Sequence, residues 1–158
     1  MIARTAGLSQ LMNRQGGGRA VGEEIMAGYS KRSLVEKLGV KPGQRVLLVG
    51  EPDGFRASLG GLPGTLAAGD GQGSVDYIHL FVVDEAALRR DLPGLRDRLA
   101  QNGMLWISWP KKSARMRTDL TESVVRALGL ECRLVDVKVA AFSATHSALK
   151  LVIPLARR

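Results

Sequence analysis

Apolar and polar positions fall into short blocks along the chain, and each block predicts an element. From Ser30, placed as an N-cap, the segment Lys31 to Leu38 sets Leu34, Val35 and Leu38 on one helical face and stops at Gly39. Lys41-Pro42-Gly43 is turn chemistry, and Val46 to Val49 is an unbroken apolar run closed by Gly50, the pattern of a strand covered on both faces. Residues 57 to 75 are too rich in glycine for more than a short helix and a brief edge strand around Thr65 to Ala67. Tyr77 to Val83 is a second buried strand, with Asp84 placed to cap the next helix.

Leu88, Leu92, Leu95 and Leu99 recur at helical intervals, although Pro93-Gly94 predicts a kink or a split into two short helices. Met104 to Trp109 is a third strand after Gly103. Asp119 and Glu122 resemble an acidic capping box for a helix sharing Leu120, Val124 and Leu128. The period then drops to two: Val135, Val137 and Val139 alternate with Asp136 and Lys138, and Leu149 to Leu155 comes after a polar turn near Ser143 to His146, a β-hairpin. Alternating strands and helices with a terminal hairpin imply a three-layer α/β domain whose sheet is mostly parallel. Residues 1 to 26 carry no sustained period and read as a flexible leader, leaving residues 27 to 158 as a single domain.

Composition changes this picture in three places. Aromatics are 4% of the chain, so Leu, Val and Ala fill the core and Trp106 and Trp109 stand out. Lys and Arg number 23 against 15 Asp and Glu, a net charge of +8, which favours an anionic small molecule, a nucleic acid or an acidic protein as partner. One dense run carries it: Lys111, Lys112, Arg115 and Arg117 without an intervening acid. Cys132 is the single cysteine, which excludes an internal disulfide and a cysteine-based metal site. With no apolar stretch near the ~18 to 20 residues of a membrane span, the chain reads as cytoplasmic, with no membrane partner and no metal.

Two passages carry a resemblance. Leu38-Gly39-Val40-Lys41-Pro42-Gly43-Gln44-Arg45-Val46-Leu47 resembles the entry to class I S-adenosylmethionine-dependent methyltransferases, where a helix, a turn and the first strand lead into a glycine-rich cofactor loop. Leu99-Ala100-Gln101-Asn102-Gly103-Met104-Leu105 is similar to a later helix-to-strand passage of the same Rossmann-like fold. With Asp76 to Val82, Trp106 to Lys112, Thr118 to Thr121 and Leu134 to Val139, residues 27 to 153 also resemble a family of small bacterial proteins catalogued as a domain of unknown function, which brings no activity with it.

The methyltransferase resemblance implies an acidic residue late in the first strand and then G-x-G-x-G. Here Gly50 and Gly54 match, but the acidic position is Leu48 and the central glycine is Pro52, whose ring adds bulk and removes an N–H. The stretch between Gly54 and Asp76 is also shorter than the roughly 30 residues of a complete β–α–β unit, so the fold is abbreviated between its first and second main strands. The strand whose end would hold a ribose is shortened or lost, with Asp70 a poor substitute. These departures lead to the expectation of a non-catalytic methyltransferase-like domain without S-adenosylmethionine, or any other cofactor, that binds an anionic ligand or partner at the strand ends. Two alternatives stand beside it: an S-adenosylmethionine-dependent methyltransferase with an atypical cofactor loop, and a structural interaction module.

The candidate contacts are Glu51, Asp53 and Gly54 after the first strand and Trp109, Lys111, Lys112, Arg115 and Arg117 after the third. Trp109 is suited to stacking a base and the cations to holding phosphate, against the plainer reading that Trp109 packs over the sheet edge and the cations form a solvated surface loop. Glu51 and Asp53 are expected to pair with Lys111 or Lys112. No serine has a motif linking it to a neighbouring base, so no catalytic residue is assigned. His79, among Ile78, Leu80 and Phe81, reads as packed or hydrogen-bonded, His146 as exposed, and Cys132 as a small strand residue.

Overall fold

The computed structural model describes residues 33–60, 64–66, 71–141 and 143–157. The expected leader over residues 1 to 26, the start of the expected domain at residue 27, the helix cap at Ser30 and Asp70 all lie outside them.

The described chain runs α1 (Leu34–Leu38), β1 (Arg45–Val49), α2 (Phe55–Ser58), β2 (Thr65–Leu66), β3 (Val75–Phe81), α3 (Glu85–Arg98), β4 (Leu99–Pro110), α4 (Glu122–Glu131), β5 (Val135–Ala141) and β6 (His146–Val152). Single 3-10 turns cover Lys112–Ala114 and Leu155–Arg157. The strands form one six-stranded sheet in the order β2-β1-β3-β4-β6-β5. The first four are parallel, and β6 runs antiparallel to both its neighbours. The expected α/β architecture, with its shortened early crossover and terminal hairpin, is the one observed.

Side chains alternate across the strands, so successive residues enter different cores. On one face Leu47, Ile78, Leu80, Leu105, Ile107 and Leu149 pack beneath the buried stripes of α3 and α4, Leu88, Leu92, Val125 and Leu128. On the other, Val46, Tyr77 and Trp106 pack with Leu38 of α1 and with Phe55 and Leu59 at α2. The Trp106 indole N–H donates to the Leu38 carbonyl at 2.9 Å, which fixes the end of α1 on the sheet. Burying side chains of this size is worth about 1.5 to 3 kcal/mol each, so both faces contribute to holding the strand ends in place.

Three local expectations are corrected. α3 is continuous through Pro93 and Gly94. Both are exposed, where a carbonyl left without an N–H partner costs less than it would in the core, while Leu88, Leu92 and Leu99 stay buried and Asp84 caps the start by accepting from the Ala87 N–H at 2.8 Å. α4 is capped by Thr121, whose hydroxyl accepts from the Val124 N–H at 3.2 Å, not by an Asp119–Glu122 box. Cys132 is the C-cap of α4 rather than a strand residue, and burial pushes its thiol up. No helix among the described residues is long and apolar enough to cross a membrane.

Candidate functional site

The strand order reverses between β1 and β3: β2 lies outside β1, and β4 lies beyond β3. In open α/β sheets the crevice beyond the carboxyl ends at such a reversal is where ligands bind. The loop Gly50 to Gly54 forms one wall. At Gly50, with φ 72°, a Cβ would lie 2.8 Å from the Phe81 carbonyl oxygen, so only glycine lets this loop close against the end of β3. The chain then turns on a Phe55 N–H to Pro52 carbonyl bond of 3.1 Å. Gly54 has φ 85° and open space where a side chain would stand, and Pro52 is exposed.

Beneath the loop lies an aromatic stack. Phe55 is buried and meets Phe81 edge-on at 4.8 Å and His79 at 5.2 Å, while the His79 and Phe81 rings stack at 4.3 Å and 7°. His79 Nδ1 lies 2.9 Å from the Tyr77 hydroxyl and Nε2 lies 2.6 Å from Ser108 Oγ. Desolvation, with a smaller contribution from the charge of His146, pushes the His79 imidazole down to about 3, and burial pushes the Tyr77 phenol up. A neutral imidazole thus donates at one nitrogen and accepts at the other, joining β3 to β4.

The sequence shows no serine beside a base, yet the fold makes that contact: Ser108 and His79 are paired. Both are 0% exposed, however, so the pair reaches no substrate and acts by holding the strands and the stack above them. His79 is packed and hydrogen-bonded as expected. His146 is half-buried rather than exposed, bonded through Nδ1 to the Thr145 hydroxyl at 2.9 Å and edge-on to Phe81.

The candidate residues fall into two groups. Glu51, Asp53 and Gly54 share the β1 loop, where Glu51 pairs with Arg56 at 2.7 Å rather than with a lysine of the β4 exit, and Asp53 is exposed. Trp109 is only 5% exposed and belongs to the core beneath α3 and α4, so it is not displayed for stacking. It forms the floor of a cleft of about 300 Å³ that Lys111 and Lys112 also line. Lys112, Arg115 and Arg117 are exposed and Lys111 is half-buried.

No family model matches the chain, and no curated protein matches it, so the likeness to small bacterial proteins rests on the residues quoted for it. Solved structures do match. Magnesium protoporphyrin IX methyltransferase from Synechocystis PCC 6803 with bound SAH aligns at a TM-score of 0.54 and 13% identity, over 76% of this chain and 78% of that one. A SAM-dependent methyltransferase from Aquifex aeolicus gives 0.54 and 14%, over 77% and 88%. Aeropyrum pernix fibrillarin with natively bound S-adenosyl-L-methionine gives 0.52 and 17%, over 72% and 68%.

These neighbours correct the expectation of a non-catalytic domain without S-adenosylmethionine: two of the three are methyltransferases by name, and two hold SAM or SAH. The physical grounds for that expectation also weaken in the structure. Pro52 is exposed, Gly54 faces open space, and the shortened crossover still lays β2 parallel beside β1. The departure at Leu48 stands, so β1 supplies no carboxylate late in the strand. The chain has the Rossmann-like fold of the class I S-adenosylmethionine-dependent methyltransferases.

Proposed function

We propose that this protein is an S-adenosylmethionine-dependent methyltransferase with an atypical cofactor loop. The observation that carries the reading is Gly54, held at positive φ beside open space at the strand-order reversal of a methyltransferase fold. Backbone of Gly50 to Gly54 would hold the cofactor, with the exposed Asp53 carboxylate as a hydrogen-bond acceptor. The chemistry such a cofactor supplies when bound is an electrophilic methyl group on a sulfonium. The chain's own part is to orient and to exclude water: the Phe55–Phe81–His79 stack sets the loop's height, and Asp84 fixes the start of α3 at the opposite rim. The reading includes a cytoplasmic location, which the single cysteine supports.

Calorimetry with S-adenosylmethionine and its demethylated product tests this. Saturable heat is expected, with a thermal upshift corresponding to about 2.7 kcal/mol at a hundredfold excess over Kd. Gly54→Val is expected to weaken the heat strongly, with some loss of stability from its positive φ, while leaving the chain folded. No heat and no thermal shift at millimolar ligand would end the proposal.

A second reading, self-association, is favoured by the edge strand β5, where Val137 and Val139 are 54% and 46% exposed. Sedimentation over a range of concentrations separates the two, since a strict monomer removes it.

A further inference from the structure

The segment leaving β4 forms a strap fastened at both ends. At its start the Lys111 N–H donates to the Thr145 carbonyl at 2.8 Å, and the 3-10 turn closes with Ala114 N–H to Lys111 carbonyl at 3.0 Å. At its end Asp119 Oδ1 accepts the Glu85 N–H at 2.8 Å, which brings the strap to the first residue of α3, beside the exit of β3. Between these anchors stand Lys111, Lys112, Arg115 and Arg117.

Among the described residues none of the four makes an ion pair, whereas Arg56, Arg89, Arg90 and Arg126 all do. Of the nearest acids in sequence, Glu122 pairs with Arg126 and Asp119 accepts from the Glu85 N–H, so neither makes an ion pair with the four. Arg115 is held at φ 59°, a left-handed conformation that a non-glycine residue adopts at a cost.

The shape of this charge selects the partner. A small anion needs donors converging on one point, but only Lys111 and Lys112 line the Trp109 cleft, while Arg115 and Arg117 lie farther along the segment and outside that lining. An acidic protein surface needs apolar or aromatic anchors, and Met116 is the one large apolar side chain exposed on the strap. Cations spread along one segment, three of them exposed, match successive phosphates of a nucleic-acid backbone.

We propose that the strap is the nucleic-acid contact of this domain, with Lys111, Lys112, Arg115 and Arg117 holding the phosphodiester backbone of a substrate strand beside the transfer site. This deepens the methyltransferase reading and rests on it for the word substrate, while the contact itself is tested separately.

The full chain is titrated against a short labelled single-stranded RNA at several salt concentrations. Four phosphate contacts predict a slope of log K against log salt of about −3, at about 0.7 per contact. Lys111→Gln with Lys112→Gln is expected to lower that slope by about 1.4 and to weaken binding about tenfold at physiological salt. Arg90→Gln, which removes an equal charge per site from α3, is expected to change neither. An unchanged slope in the double variant, with an unchanged thermal unfolding curve, overturns the proposal. So does displacement of the RNA by millimolar inorganic phosphate, which marks a small-anion site, or equal competition by polyglutamate, which marks an acidic protein partner. Calorimetric binding of S-adenosylmethionine should survive the double variant. RNA held through the strap by a chain that gives no heat with S-adenosylmethionine would uphold the contact and sink the methyltransferase reading alone.

Discussion

The two loops at the carboxyl edge of the sheet are built on opposite terms. The β1 loop has its Glu51 carboxylate taken up by Arg56, and it lies over the ring cluster of Phe55, Phe81 and His79. The β4 strap is tied through backbone atoms and the Asp119 carboxylate and leaves its cations to solvent. A loop whose height is set by buried rings suits a ligand approached by backbone. A strap whose cations make no ion pair suits a polyanion. The difference separates residues whose loss costs stability from residues whose loss costs affinity, and substitutions on either side of that line can move or erase it.

The largest effect expected is on acid stability. His79 titrates at about 3 in the folded chain and near 6.5 when unfolded. Between those values the unfolded state binds the extra proton, so stability rises with pH; it is fully present above 6.5 and is lost as pH falls through the window toward 3. The whole window is worth about 5 kcal/mol at about 1.4 kcal/mol per pH unit, the order of an entire domain's stability. Urea unfolding from pH 6.5 to about pH 5 should show a loss of about 2 kcal/mol, before most carboxylates titrate. His79→Gln should flatten that slope. A variant that keeps the wild-type slope would place the proton elsewhere and remove the reason for treating the stack as the loop's foundation.

Gly50→Ala comes next. It combines a positive φ with a Cβ 2.8 Å from the Phe81 carbonyl, and backbone oxygen cannot move aside as a side chain would. A loss of about 2 to 3 kcal/mol is expected, read as a lower urea midpoint at unchanged m-value, together with weaker S-adenosylmethionine binding. Gly54→Val should also weaken binding, with a loss of stability set by its positive φ alone, about 1 to 2 kcal/mol, since no atom stands where the Cβ would go. Equal destabilisation by the two would mean that the loop's outer half is as tightly packed as its root.

Most of the fold is legible in the sequence because its signals are local. Apolar runs at Val46 to Val49 and Tyr77 to Val83, the leucine stripe and the alternating valines each announce an element within a few residues. The features that stay hidden depend on register or packing. Ser108 meets His79 only because β3 and β4 pair with Phe81 opposite Ser108, and nothing in either strand encodes that offset. Trp109 lies in the helix-covered core, while its neighbours Lys111 and Lys112 in the sequence suggest a ring displayed for stacking. Pro93 signals a break by its usual effect on a helix, and only the packed fold shows that it faces water. At the site, the Gly50 and Gly54 positions are readable, while the open space beside Gly54 and the exposure of Pro52 depend on how the fold turns the loop.

The smallest expected effect bears hardest on the contrast between the loops. Replacing Lys111, Lys112, Arg115 and Arg117 together by Gln removes four charges from a chain of net +8. Since Lys112, Arg115 and Arg117 are exposed and none of the four is ion-paired among the described residues, there is little attraction to lose. Repulsion among them is small, because two unit charges in water interact by about 1 kcal/mol even at about 4 Å and are screened over about 8 Å at physiological salt. The sum should be a change within about 0.5 kcal/mol, toward greater stability, visible at low salt and vanishing when salt is raised. Urea unfolding at two ionic strengths measures it. A loss above about 1 kcal/mol, independent of salt, would mean that the cations hold the strap in place, and the two loops would then be two versions of one structural device.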